Sequence, residues 1–356
     1  MPLLLAVERF LPPFRYGQDV VTRYVRSWLR ESGDAAAERL LAVYASAGVE
    51  ARRSVVPIEE VFAPGDLETQ NSRYERLARC AAVDLARRAL AAADLLPSAV
   101  DFVVSVSCTG FMIPALDAYL ADALRLGPRL ARLPITESGC AGGVVGLCRA
   151  ADHLRAHPDR AALVVAMELA SLTFQRWDRS AANVVSTAIF GDGGAAAVLV
   201  GRDHPRARGK VLARLDEGES LFFPGTTHLM GFRLRNQGLQ IVLDKRLASF
   251  VRREVAGVID RFLGDRGLAR ADIARWVLHP GGRRIIEVMA ERLGLGEEDL
   301  RPTEAVLAEH GNMSSVTVLF VLDEIFRRHR PAAGARGLLG AFGPGFGAEL
   351  LLLEFL

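Results

Sequence analysis

Cys140 stands in the run Gly139-Cys140-Ala141-Gly142-Gly143, between a strand-like stretch at 132–136 and a helix of small residues. A helix N-terminus offers unpaired N–H groups and partial positive charge, and both favour a thiolate. The glycines would let the backbone turn sharply and let a substrate come close. A lone cysteine in such a place is more often a packed structural thiol, so its company matters. His279 ends a second strand-like run and is followed by Pro280-Gly281-Gly282, a place where a side chain enters a cleft instead of a core. An imidazole near Cys140 would hold a thiolate–imidazolium pair and would donate a hydrogen bond to a developing oxyanion. Asn312, in Gly311-Asn312-Met313-Ser314-Ser315, adds an uncharged donor at a helix start, where alone it would pass for an ordinary N-cap. His153, His157, His204, His228, His310 and His329 fall in helix faces or loops and are expected to be solvent-exposed.

Cysteine, histidine and asparagine without an acidic partner suit decarboxylative condensation. A malonyl thioester loses CO2 and leaves an enolate whose charge rests on the thioester oxygen. Two neutral or cationic donors stabilise that oxygen, and no base is needed. The enolate carbon then attacks an acyl group carried on the cysteine.

The elements that would position these residues follow an α/β pattern with buried sheets. Residues 19–47 and 73–96 read as amphipathic helices, and 100–107, 162–167, 195–200, 276–279, 337–341 and 349–355 as short apolar strands. Their order repeats. A strand ending at Cys108-Thr109-Gly110 precedes the Cys140 motif by 32 residues, and the strand ending at His279 precedes Asn312 by 33. Each half closes with a glycine-rich turn feeding a strand, Gly191-Asp192-Gly193-Gly194 in one and Gly343-Pro344-Gly345-Phe346-Gly347 in the other. The expected organisation is two duplicated halves, 1–205 with the cysteine and 206–356 with the histidine and asparagine. Pseudo-twofold packing would bring the three side chains to one centre.

Composition narrows the classes. At 356 residues with a formal charge of +2, the chain carries no nucleic-acid footprint. No stretch approaches the ~20 apolar residues of a membrane span. The opening Pro2–Val7 lacks a basic n-region, so no secretory leader is expected. The cysteines Cys80, Cys108, Cys140 and Cys148 show no C-x-x-C spacing, so neither a metal site nor a disulfide framework is expected. Cys80 and Cys148 read as packed core thiols, and a reduced cytoplasmic setting fits.

At its motifs the sequence resembles the chalcone and stilbene synthase family, the type III polyketide synthases of the thiolase superfamily. The matching segments run in order: Ser107-Cys108-Thr109-Gly110 with Pro114, then Gly139–Gly143, Phe190-Gly191-Asp192-Gly193, His279–Gly282, Gly311–Ser315 and Phe342–Gly347. The resemblance implies a homodimer of the five-layered αβαβα thiolase-like fold that uses acyl-CoA and malonyl-CoA, with no cofactor and no acyl carrier protein. Cys140 would match the acyl-carrying cysteine, and His279 and Asn312 the decarboxylation donors. Phe190 would match the gatekeeper between CoA tunnel and cavity, while Cys108, Thr173 and Ser314 would shape the elongation cavity. Ile113 would cross the dimer interface into the partner's cavity, and Arg52 and Arg53 would lie near the CoA-phosphate contacts. Cys108 stands where plant members usually carry threonine, which points to the bacterial branch and to an alkylpyrone, alkylresorcinol or other small aromatic product.

Three rival readings are weaker. A papain-like hydrolase shares the Cys-His-Asn order but leaves the duplicated frame unexplained. An initiating ketoacyl synthase of the ketoacyl-ACP synthase III type shares the triad, yet its asparagine motif typically reads Gly-Asn-Thr-Ser, and Met313 stands here. A catalytically dead binding protein would have no reason to keep all three residues and Phe190.

Overall fold

The computed structural model describes residues 1–31 and 39–356. One nine-stranded mixed sheet runs in the order Ile273–Leu278, Arg336–Gly343, Gly347–Phe355, Ala213–Phe222, Leu3–Phe10, Asp192–Val200, Ala161–Leu169, Phe102–Val106, Ala131–Ile135. Its pairing senses repeat about the middle. Strand 102–106 pairs parallel with 161–169, which pairs antiparallel with 192–200, which pairs antiparallel with 3–10. Strand 273–278 pairs parallel with 336–343, which pairs antiparallel with 347–355, which pairs antiparallel with 213–222. The halves join where Leu3 and Leu4 face Arg214 and Ala213.

Pleating explains the layers. Successive strand residues face opposite ways, and strands 102–106, 161–169 and 192–200 are buried on both faces and almost wholly apolar, whereas 213–222 and 131–135 are partly exposed and carry charged residues. Val104, Val164 and Ala197 from one half, and Leu339 and Leu351 from the other, pack against two central helices, Gly142–Ala156 and Thr317–Arg328. Val103, Leu163 and Val198 face outward onto helices Leu67–Ala92 and Leu116–Leu124. On the far side Trp276, Leu338 and Leu350 meet helices Leu247–Gly264 and Arg283–Leu293. Helices, one half of the sheet, the helix pair, the other half of the sheet, helices: this is the five-layered αβαβα arrangement, a thiolase-like fold. The boundary expected at 205/206 lies within the short helical turn Pro205–Arg208.

Close approach of the central helices depends on Gly143, because a Cβ there would run into the Ser315 carbonyl oxygen. Neither helix can give way without disturbing the strands packed on either side of the pair. Gly143→Ala is therefore expected to destabilise the fold by about 1–3 kcal/mol, the usual range for overpacking. Thermal unfolding at an unchanged midpoint would contradict it.

All six expected strands are present, each within a few residues of its predicted limits. The expected helix at 19–47 is described as Gln18–Arg30 and Ala42–Ser46, with 32–38 outside the described residues. The helix expected from 73 starts at Leu67, because Asp66 caps it by accepting from the Thr69 N–H at 2.9 Å. The opening apolar run is a strand inside the sheet. No helix among the described residues is long and apolar enough to cross a membrane. Cys148 is buried as expected, but Cys80 is exposed on its helix. His310 is also corrected: it is buried, edge-on to Phe320 at 5.2 Å.

Candidate active site

Cys140 lies in the helical turn Gly139–Ala141 that leads into helix Gly142–Ala156. Gly139 has φ +50°, and Pro344 occupies the space its side chain would need. A motif from each half thus interlocks beneath the cysteine. Gly142 and Gly143 were expected to admit substrate; they instead admit Val106 and Ser315 of the packed core.

Asn312 is 1% exposed and strapped by backbone to the Phe190 segment. Its N–H donates to the Ile189 carbonyl at 2.8 Å, and its carbonyl accepts from Gly191 N–H at 3.0 Å. The side-chain oxygen accepts from the Ser314 N–H at 2.7 Å and from the Thr317 hydroxyl at 3.4 Å. With its oxygen so engaged, the amide is oriented to present its NH2 as donor. Ser314 takes a left-handed φ of +50° in this turn, a strained conformation for a serine that the Asn312 oxygen helps to hold. Its hydroxyl lies 3.3 Å from the Cys108 sulfur, and both Ser314 and Asn312 offer hydrogen bonds to the Cys140 sulfur.

His279 follows strand Ile273–Leu278, its N–H donating to the Gly340 carbonyl at 2.9 Å. Gly282, just beyond, sits against Ile189, whose carbonyl holds Asn312. The imidazole is 5% exposed, and neither ring nitrogen has a hydrogen-bond partner. Leaving buried polar groups unpaired costs about 1–3 kcal/mol each, and such orphans call for a reason. An acceptor brought by substrate supplies one.

Burial pushes the Cys140 thiol up to about 11 and the His279 imidazole down to about 3. Neither group ionises alone near neutrality. A thiolate at Cys140 therefore needs a proton acceptor, the part expected of the His279 imidazole, whose ring nitrogens make no other hydrogen bond. Removing the imidazole takes that acceptor away and leaves burial as the largest influence on the thiol. In His279→Gln the alkylation rate of Cys140 should therefore rise only at higher pH than in the wild type, above the ordinary thiol value of about 8.5. Coincident iodoacetamide profiles for the two proteins would contradict the pairing.

A cavity of about 550 Å³ opens in front of Cys140, and Phe190, Cys108, Thr173 and Ser314 all line it. Its far wall is the hairpin Met230–Arg235 and Gly238–Leu243, which no sequence signal led us to expect as part of the site. Register pairs Met230 with Leu243, Phe232 with Ile241 and Leu234 with Leu239, so one face of the hairpin is wholly apolar. Ile113 is fully exposed, at 101%, and does not line this chain's cavity. Arg53 lines it while donating to the Pro12 carbonyl at 2.9 Å.

Arg52 corrects an expectation. It was placed near CoA-phosphate contacts, yet it is only 6% exposed. Its terminal nitrogens donate to the carbonyls of Thr187 (2.6 Å), Ala188 (2.7 Å) and Phe190 (2.8 Å) and to the Gln18 side chain. That leaves no terminal N–H for a phosphate.

Sequence reading also missed Glu168. This carboxylate is fully buried and accepts from Ser315 (2.5 Å), Thr109 (2.8 Å), the Cys108 N–H (3.0 Å) and Ser107 (3.3 Å). Burial raises its pKa, with those donors acting against the rise. It underpins the segments that carry Cys108 and Ser314. Its signal was present: one acid in the otherwise apolar run Ala161–Leu169. Among the described residues, no group of His, Cys, Asp or Glu is arranged to hold a metal ion.

Comparison with known proteins gives consistent matches. Residues 68–204 match the N-terminal domain model of chalcone and stilbene synthases, and residues 214–356 the C-terminal one. The chain is 38% identical over 352 residues to 1,3,6,8-tetrahydroxynaphthalene synthase of Streptomyces peucetius subsp. caesius, covering 98% of this chain and 92% of that protein. It is 32% identical over 335 residues to the alpha-pyrone synthesis polyketide synthase-like Pks18 of Mycobacterium tuberculosis (strain ATCC 25618 / H37Rv), covering 90% and 83%. Among solved structures, the tetrahydroxynaphthalene synthase of Streptomyces coelicolor A3(2), a bacterial type III polyketide synthase, superposes with a TM-score of 0.93 at 31% identity, covering 99% of both chains.

Proposed function

The chain belongs to the chalcone and stilbene synthase family and is a type III polyketide synthase, and on that premise we propose that Cys140 carries the growing acyl chain while His279 and Asn312 drive decarboxylation of malonyl-CoA. As a member of that class it condenses malonyl-CoA with an acyl-CoA starter and needs no acyl carrier protein. The residue assignment is supported by a thiol that lines the cavity and by the state of the two buried side chains proposed as donors. The Asn312 amide has its oxygen engaged by backbone, and the His279 imidazole has no partner of its own.

The cycle runs as follows. The Cys140 sulfur, paired with His279, attacks the starter thioester and expels CoA, leaving an acyl-enzyme. Malonyl-CoA then enters past Phe190, whose aromatic face guides the malonyl group. As CO2 leaves, negative charge grows on the thioester oxygen, and the His279 and Asn312 N–H groups stabilise it. The enolate carbon attacks the acyl carbon and frees the sulfur. The extended chain returns to Cys140 for another round until it cyclises.

The shape of the cavity supports one class of starter. Small groups at Cys108 and Ser314 leave room for an extended chain, and the apolar hairpin face gives it a surface. A fatty acyl-CoA starter leading to an alkylpyrone or alkylresorcinol-type product is the reading we favour. A second reading, an aromatic built from malonyl units alone, is favoured by the 38% identity to a tetrahydroxynaphthalene synthase. Incubation with malonyl-CoA and a ladder of acyl-CoA starters, followed by product mass analysis, separates the two. Mass increments that follow starter length support the first; one starter-independent product supports the second. The protein acts as a cytoplasmic homodimer in this reading, with halves 1–205 and 206–356, Ile113 reaching the partner's cavity and Arg53 facing the CoA end. No cofactor beyond the thioester substrates is called for.

A further inference from the structure

We infer that Arg52 is a positioning residue for the decarboxylation step, holding the Phe190 segment so that Asn312 presents its amide at the right place. This rests on the role given to Asn312 above. Four consecutive carbonyls end helix Ala181–Ile189 and run into Phe190, and at a helix C-terminus such groups lack intrahelical partners. Arg52 takes those of Thr187, Ala188 and Phe190, and Asn312 takes that of Ile189. One guanidinium and one asparagine N–H thus fill the whole set between them.

The arrangement is rigid from several sides. Burial lowers the Arg52 pKa only to about 10, so it stays charged beside the negative end of the helix dipole. Gly191 lets the chain pass between the Arg52 Cβ and the His310 carbonyl, where a side chain would not fit. Asp192, accepting from Ser171 and the Val55 N–H, fixes the next residue along and lies near enough to Arg52 to act on its charge. Phe190 and Asn312 therefore share one support, whereas Cys140 hangs from another, the Gly139 turn against Pro344. Loss of Arg52 should disturb the first and spare the second.

The test separates those two supports. Arg52→Lys and Arg52→Met would be compared with Asn312→Ala for two readouts: the burst of Cys140 acylation by a starter acyl-CoA, followed by mass, and the steady-state rate of malonyl-CoA decarboxylation. The expected result is a burst near one acyl group per chain in all three proteins, with decarboxylation at least tenfold slower in the Arg52 variants and KM for the starter unchanged. The double variant Arg52→Met with Asp192→Asn should not recover, because geometry rather than charge balance is at stake; recovery would overturn the inference. So would wild-type decarboxylation in the Arg52 variants when Asn312→Ala is impaired. Equal loss of burst and decarboxylation in both Arg52 variants would overturn it too, assigning Arg52 to the fold as a whole. If Asn312→Ala itself decarboxylates normally, the fault lies in the reading of Asn312 on which the inference stands.

Discussion

Cys140→Ala is expected to yield no polyketide and no acyl-enzyme detectable by mass spectrometry. In the proposed cycle the sulfur is the atom that forms the thioester. Cys148 is buried in the core and Cys80 lies on an outer helix, so neither can replace it. Cys108 lines the same cavity, but burial and the neighbouring Glu168 carboxylate raise its thiol well above the ordinary range, and no histidine faces it among its hydrogen-bond partners. An acylated Cys140→Ala protein would refute the assignment. Decarboxylation is a separate matter, because in the proposed cycle it draws on His279 and Asn312 and not on the sulfur. Cys140→Gln should therefore still release CO2 from malonyl-CoA while making no product. A folded Cys140→Gln protein that leaves malonyl-CoA untouched would count against the oxyanion role of the two donors.

Removing either donor should slow decarboxylation by roughly 100- to 1,000-fold, about 3 kcal/mol of transition-state stabilisation, the scale of a lost oxyanion-hole donor. The two should differ in their effect on the fold. Asn312 holds its turn through bonds from Ser314 and Thr317, so Asn312→Ala loses stability together with activity. The His279 side chain has no hydrogen bond to lose, and its two buried orphan nitrogens disfavour the folded state. His279→Leu should therefore unfold no more readily than the wild type while losing activity, as expected where function is held at the expense of stability. A marked drop in its unfolding midpoint with decarboxylation preserved would reverse the assignment of His279 from donor to core residue.

Much of this was legible in the chain. Cys140, His279 and Asn312 could be chosen because glycine-flanked motifs recur in matched order in the two halves, and strands buried on both faces announce themselves as continuous apolar runs. Arg52 was misplaced for a physical reason. A guanidinium is equally at home on a phosphate or on carbonyls, and only the burial of strand Ala51–Ser54 against helix Ala181–Ile189 decides which. His310 was misjudged in the same way, since a histidine beside charged residues looks exposed until Phe320 from another helix covers it. The hairpin that walls the cavity gave no chemical signal at all; its apolar face is ordinary until something must be placed opposite it.

The sequence by itself determined the α/β alternation and the repeated order of strands, and singled out the cysteine proposed as nucleophile with the residue types that accompany it, because these follow from periodicity and from the chemistry of single side chains. The tertiary structure decided the rest. It set which groups lose water, and so the neutral resting state of Cys140 and His279; it turned the Asn312 amide by engaging its oxygen; and it shaped the cavity. Each of these depends on surfaces brought together from residues far apart in the chain, and no local pattern reports the desolvation that such a meeting imposes.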